Sequence, residues 1–126
     1  MEGRLGILIV EDDLIQSLLL EKVVQSLNHC VLGTTIYGER AVDLVDELSP
    51  DIIFMDIALA GAISGMESAQ MINAKSKTAI FYVTGNSWVK DEERLKSSRF
   101  EDILIKPISK VDVQEAILTY ITKPHQ

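Results

Sequence analysis

Five short, strongly apolar runs alternate with amphipathic stretches along the 126 residues, and this alternation constrains the fold more than any other feature. The runs are residues 5–10, 30–36, 52–55, 79–83 and 103–105. Each is followed by a stretch that predicts a helix. In residues 14–27, Ile15, Leu18, Leu19, Val23 and Leu27 recur at helical spacing. In residues 38–48, Ala41, Val42, Leu44, Val45 and Leu48 share one face, with Ser49-Pro50 as the stop. Residues 66–74 form a third helix, and the charge-rich residues 88–97 a weaker fourth. Residues 109–122 form a fifth, with Ser109 and Asp112 spaced as a capping box and Val113, Ile117 and Ile121 facing inward. Strict strand–helix alternation predicts an α/β fold: a doubly wound, five-stranded parallel sheet with five helices on its two faces. The runs are continuously apolar rather than alternating, as strands covered on both faces require. In such sheets ligands bind beyond the carboxyl ends of the strands, so the residues just after each run are the candidate site.

Those positions hold Glu11-Asp12-Asp13, then Asp56, then Thr84-Gly85, then Lys106-Pro107. Two carboxylates about 4 Å apart repel by roughly 4 kcal/mol at an effective dielectric of about 20. Gathering several is costly unless a cation joins them or their pKa values shift. The ligands on offer are hard oxygens, without a nearby His or Cys, which favours Mg²⁺ over zinc. A cation beside a carboxylate, a hydroxyl and an ammonium suits phosphoryl transfer, with Asp56, alone at the end of the third strand, as nucleophile. Glu11 and Asp12, adjacent to each other, suit the ion. Asp13 stands where an N-cap for the first helix is expected.

The 47% hydrophobic and 25% charged content excludes a disordered or low-complexity chain, and the length fits one domain, residues 1–126. A net charge of −7 argues against non-specific binding to nucleic acid or anionic membranes. No apolar stretch is long enough to span a bilayer. The single cysteine, Cys30, forms no internal disulfide and is expected to pack as a small hydrophobe, with the cytoplasm as the simplest compartment. His29 and His125 are read as surface residues, and Trp88 either as a partner anchor or as a cap on the core.

The motifs Ile7-Leu8-Ile9-Val10-Glu11-Asp12-Asp13, Phe54-Met55-Asp56-Ile57, Val83-Thr84-Gly85 and Ile105-Lys106-Pro107 resemble, in order and spacing, the receiver domain of two-component response regulators. The resemblance runs over residues 5–121. It implies a flavodoxin-like (βα)5 fold with strand order 2-1-3-4-5. It also implies Mg²⁺-dependent acceptance by Asp56 of a phosphoryl group from a phosphohistidine on a histidine kinase or phosphotransfer protein. Asp12 would bind Mg²⁺ directly and Glu11 through water, with Asp56 and the backbone carbonyl of Ala58 completing the protein ligands. Thr84 would contact the phosphoryl oxygens on activation. Lys106 would pair with the phosphoryl group, across a Lys106-Pro107 bond that is cis in the family. An output domain or partner is expected on the face of the fourth helix, fifth strand and fifth helix, the elements carrying Trp88, Ile103 and Tyr120. Such a domain is a slowly self-dephosphorylating signalling module rather than a metabolic enzyme.

Three positions depart from the family pattern. Ile103 stands where an aromatic switch residue is usual. The loop of residues 57–65 is one residue longer than in many receivers. Ser98-Arg99-Phe100 replaces a small Gly-Ala pair, so Phe100 is expected to pack beneath the fourth helix and the turn to differ. The fifth helix has no arginine, which weakens the analogy to receivers that dimerise through basic–acidic pairs and leaves a homodimer open. Two other uses of such a sheet fit worse. An FMN carrier needs a phosphate loop where Glu11-Asp12-Asp13 stands, and a carboxylate phosphatase needs an acid where position 14 is leucine. A phosphorylation-independent scaffold remains the alternative, on account of Ile103.

Overall fold

In the computed structural model, which describes residues 3–59, 61–86 and 93–123, five strands form one parallel sheet. They are β1 (Gly6–Val10), β2 (Cys30–Thr35), β3 (Ile52–Asp56), β4 (Ala79–Thr84) and β5 (Asp102–Ile105), in the order β2-β1-β3-β4-β5. The expected strand order is therefore the observed one. The chain steps from β1 outward to β2 and then back across β1 to β3. The crevice at that reversal lies between the ends of β1 and β3, where Glu11 and Asp56 stand.

Four α-helices are described: α1 (Leu14–Ser26), α2 (Gly38–Leu48), α3 (Gly65–Asn73) and α4 (Lys110–Thr122). The expected count of five is not reached among the described residues. Of the fourth predicted helix, residues 88–97, the described part is a 3₁₀ helix, Glu93–Ser97, while Trp88 lies outside the described residues, as does His125. α2, α3 and Leu95 of the 3₁₀ helix cover one face of the sheet, against Leu8, Val10, Ile53, Met55, Ile80 and Tyr82. α1 and α4 cover the other, against Ile7, Ile9, Ile52, Phe54 and Phe81. β1, β3 and β4 are buried along most or all of their length, as both-face coverage requires. β2, at the edge, instead alternates exposed and half-buried residues.

Several helix ends follow their sequence signals. Asp13 caps α1 by accepting from the N–H groups of Ile15 and Gln16, and Ser109 with Asp112 forms the capping box of α4. α2 stops at Ser49, in the left-handed region (φ 47°), immediately before Pro50. Two faces differ from expectation. α1 buries Ser17, Leu20 and Val24, whereas Ile15, Leu18 and Leu19 are 72%, 51% and 59% exposed. In α4, Val113 and Ile117 are buried but Ile121 is exposed.

His29 and Cys30 also depart from their expected roles. Cys30 is exposed on the edge strand. His29 is half-buried and its Nδ1 accepts the N–H of Leu5 at 3.0 Å. Burial, with Arg4 nearby, holds its pKa below the ordinary 6.5. The unfolded chain then binds the proton more readily, so stability falls as pH drops below about 6.5 and the loss is complete once the folded-state pKa is passed. Urea unfolding between pH 7.5 and 5.5 is expected to show this slope in the parent and a flatter one in His29→Asn. Equal slopes would remove His29 from the account.

Candidate acidic site at the sheet edge

The site forms because three strands end side by side. Val10 pairs with Met55 in register and Asp56 with Val83, so Glu11, Asp56 and Thr84 emerge at one edge. The Lys106 N–H donates to the Thr84 carbonyl at 2.7 Å, which brings the residue after β5 to the same edge. Glu11, Asp56 and Thr84 are buried, at 5%, 5% and 4% exposure.

One carboxylate oxygen from each of Glu11, Asp12 and Asp56 lies within 4.8 Å of the others, with Asp12 the most accessible of the three. Lys106 Nζ bridges the two buried acids, 2.8 Å from Glu11 Oε1 and 3.1 Å from Asp56 Oδ2. Burial and the closeness of Asp56 push the Glu11 carboxyl above its ordinary pKa. Lys106 and the Asp13 N–H, which donates to Glu11 Oε2 at 3.1 Å, pull against that shift. For Lys106, burial acts to lower the pKa, but the bond to Glu11 and the charge of Asp56 outweigh it, and the net shift is upward. The other Asp56 oxygen, Oδ1, accepts the Ala58 N–H at 3.0 Å. The Asp56 carboxylate is thus gripped at both oxygens. The Thr84 Oγ1 accepts from the Asn86 N–H at 3.1 Å, and Lys106-Pro107 is cis.

The structure therefore brings together Glu11, Asp12, Asp56 and Lys106, with Thr84 on the adjoining strand and Asp13 used as a helix cap. Two details go beyond the sequence signals, which bring Lys106 to this edge without naming its partner. Lys106 pairs with Glu11 across 95 positions, and the Ala58 backbone turns its N–H onto Asp56. A third, Gly65 at the start of α3, has a weak one: a small residue opening a helix that follows the acid by nine positions.

The family model described as the response regulator receiver domain matches residues 7–118. The polar-differentiation response regulator DivK of Brucella ovis is 30% identical over 119 residues, covering 92% of this chain and 95% of that protein. An uncharacterised transcriptional regulatory protein of Bacillus subtilis, YrkP, is 31% identical over 117 residues; the chain spans about half (49%) of its length. Among solved structures, the signal receiver domain of a modulated diguanylate cyclase from Desulfovibrio desulfuricans matches with a TM-score of 0.87 at 33% identity, over 94% of each chain. The receiver domain of the sensor histidine kinase PA1611 from Pseudomonas aeruginosa, which holds a magnesium ion in its active-site cleft, matches with a TM-score of 0.84 at 25% identity, over 96% of this chain and all (100%) of that one. By its sheet, its strand-end residues and these matches, the chain belongs to the receiver domains of two-component response regulators.

Proposed function

We propose that Asp56 is the phosphoacceptor of this receiver domain. The observation that carries the proposal is the bridge of Lys106 between Asp56 and Glu11, with Asp12 beside them. An Asp56 oxygen attacks phosphorus, the P–N bond to a donor imidazole breaks, and the imidazole leaves with the bonding pair and takes up a proton. The donor is a phosphohistidine of a histidine kinase or phosphotransfer protein. Lys106, held charged by its acidic neighbours, neutralises the phosphoryl oxygens, and the Thr84 hydroxyl donates to one of them. The Ala58 N–H keeps the Asp56 carboxylate oriented for attack.

The residues fit a hard divalent cation. Three carboxylates converge, two of them buried, and oxygen is the only donor they offer. Glu11, Asp12, Asp56 and the Ala58 carbonyl would hold Mg²⁺, which when bound supplies further neutralisation of phosphoryl charge. The output is a change of protein contacts in the cytoplasm, on the face of the 3₁₀ helix, β5 and α4. Ile103 is buried and so is not itself a contact side chain, whereas Tyr120 is half-buried and keeps part of its surface on that face.

Intact mass after incubation with acetyl phosphate tests the proposal. A gain of one phosphoryl group is expected with Mg²⁺, and none in Asp56→Asn. If the parent gains no mass with Mg²⁺ present, the chain is a phosphorylation-independent scaffold.

A further inference from the structure

We infer that Gly65 is a positioning residue for the Asp56 carboxylate, by letting the first turn of α3 rest directly on the backbone of the phosphoacceptor. This rests on the assignment of Asp56 above.

Gly65 is not glycine for conformational reasons. Among the described residues, the glycines in the left-handed half of φ space are Gly3 and Gly61, the latter at φ 109° in the same loop. Gly65 opens α3, where alanine would be the better helix former. What it provides is the missing side chain. A Cβ at position 65 would overlap the Asp56 carbonyl oxygen outright. It would also stand 2.9 Å from the Asp56 carbonyl carbon and 2.9 Å from Ile57 Cα. These are main-chain atoms, with no flexible side chain able to swing aside.

Neither partner can retreat freely. The Gly65 N–H donates to the Ile57 carbonyl at 3.0 Å, and Ser64 and Glu67 lock the first turn of α3 in a capping box. α3 is also pinned by the buried Ser68, whose Oγ donates to the Gly38 carbonyl at 2.8 Å. Asp56 is in turn paired with Val83, and the Ile57 N–H donates to the Val83 carbonyl at 3.1 Å. A side chain at 65 therefore displaces the Asp56–Ile57 peptide or breaks the seat of α3. Displacing that peptide disturbs the turn through which the Ala58 N–H holds Asp56 Oδ1. Misplacement of a reacting group by about 1 Å costs on the order of a hundredfold in rate.

The experiment compares Gly65→Ala with Ile72→Ala, which removes a fully buried side chain from the same helix without pressing on Asp56. Each is followed for its maximal rate of phosphorylation by acetyl phosphate and for the ¹⁵N–¹H resonance of Ala58. Gly65→Ala is expected to slow the maximal rate of the folded protein about tenfold or more and to move the Ala58 resonance. Ile72→Ala, although less stable, should keep the parent's rate within about twofold and leave the resonance in place. Parental rate and Ala58 resonance in folded Gly65→Ala would overturn the inference, as would an equal loss of rate in Ile72→Ala. Should Gly65→Ala not fold, Ser64→Gly decides. Glycine is well tolerated at an N-cap, so the fold is kept while the first turn is freed. A slower rate with a moved Ala58 resonance supports the inference, and parental values for both refute it. If the parent itself takes up no phosphoryl group, the assignment of Asp56 falls, and the role of Gly65 with it.

Discussion

Lys106→Met is expected to lower stability by about 3–5 kcal/mol at neutral pH in metal-free buffer, the usual cost of removing one partner from a buried charge pair. The Glu11 and Asp56 side chains are each 6% exposed, and Lys106 is the cation bonded to both. Methionine keeps much of the stem that packs at the site but leaves two carboxylates facing each other without solvent. The loss has a definite pH dependence. Glu11 already has a raised pKa in the folded parent, from burial and Asp56, and loses in the variant the lysine that opposes the shift. A folded-state pKa above the unfolded one means that the native state binds the proton more readily, so stability increases as pH falls through the folded-state value. The increase is complete below the ordinary carboxylate range. The gap between variant and parent should therefore narrow on acidification. Magnesium should narrow it as well, because without the competing ammonium the variant's carboxylates bind the ion more tightly than the parent's, and each tenfold difference in Kd at saturating metal is worth about 1.4 kcal/mol. Urea unfolding of both chains, with and without Mg²⁺, at pH 7.5 and 5.5 measures all of this. A metal-free difference below about 1 kcal/mol at pH 7.5 would mean that Lys106 does not hold the two acids together.

What the sequence disclosed, and what it hid, follows from how local each signal is. Glu11, Asp12, Asp56, Thr84 and Lys106 could be read because each directly follows an apolar run, and the topology of a doubly wound sheet carries such residues to one edge. The Asp13 cap and the Ser109–Asp112 box are signals spanning a few residues. The inward side of α1 was not legible. Apolar residues occupy positions 14, 15, 18, 19, 20, 23 and 24, nearly all round the helix, so periodicity selects no face. Packing settles it by burying Leu20 and Val24. Nor could periodicity reveal that Lys106 reaches Glu11, or that the Asp56 carbonyl needs the space beside Gly65, because both are contacts made only when distant strands and loops meet.

The segment after β4 shows the same limit and supports a second large effect: Tyr82→Ala is expected to cost about 3–5 kcal/mol and to release residues 95–100 from the sheet. Charge density in residues 90–94 suggests a solvated helix, yet the described part of this segment is a 3₁₀ helix held by neighbours rather than by its own propensity. Tyr82, fully buried in β4, packs its ring 5.1 Å from that of Phe100 and bonds its hydroxyl to Ser98 Oγ at 2.6 Å. Leu95, 2% exposed, joins the same core cluster. From the α3 side, Asn73 accepts the Arg99 N–H at 2.6 Å, and Arg99 reaches the Ser76 carbonyl at 2.8 Å. Phe100 thus takes its place through Tyr82, the register partner of Ile103, and the aromatic mass absent at position 103 lies one strand away. Tyr82→Ala removes both the ring contact and the hydroxyl, so the loss should be global in urea and local in hydrogen exchange, where the amides of Ser98 and Glu101 lose protection. Tyr82→Phe keeps the ring and should cost only about 1 kcal/mol, the worth of one hydrogen bond. If Tyr82→Phe proved as damaging as Tyr82→Ala, the hydroxyl rather than the ring would be what fastens this segment. If Tyr82→Ala left Ser98 and Glu101 protected, the clasp from Asn73 and Arg99 would suffice without it.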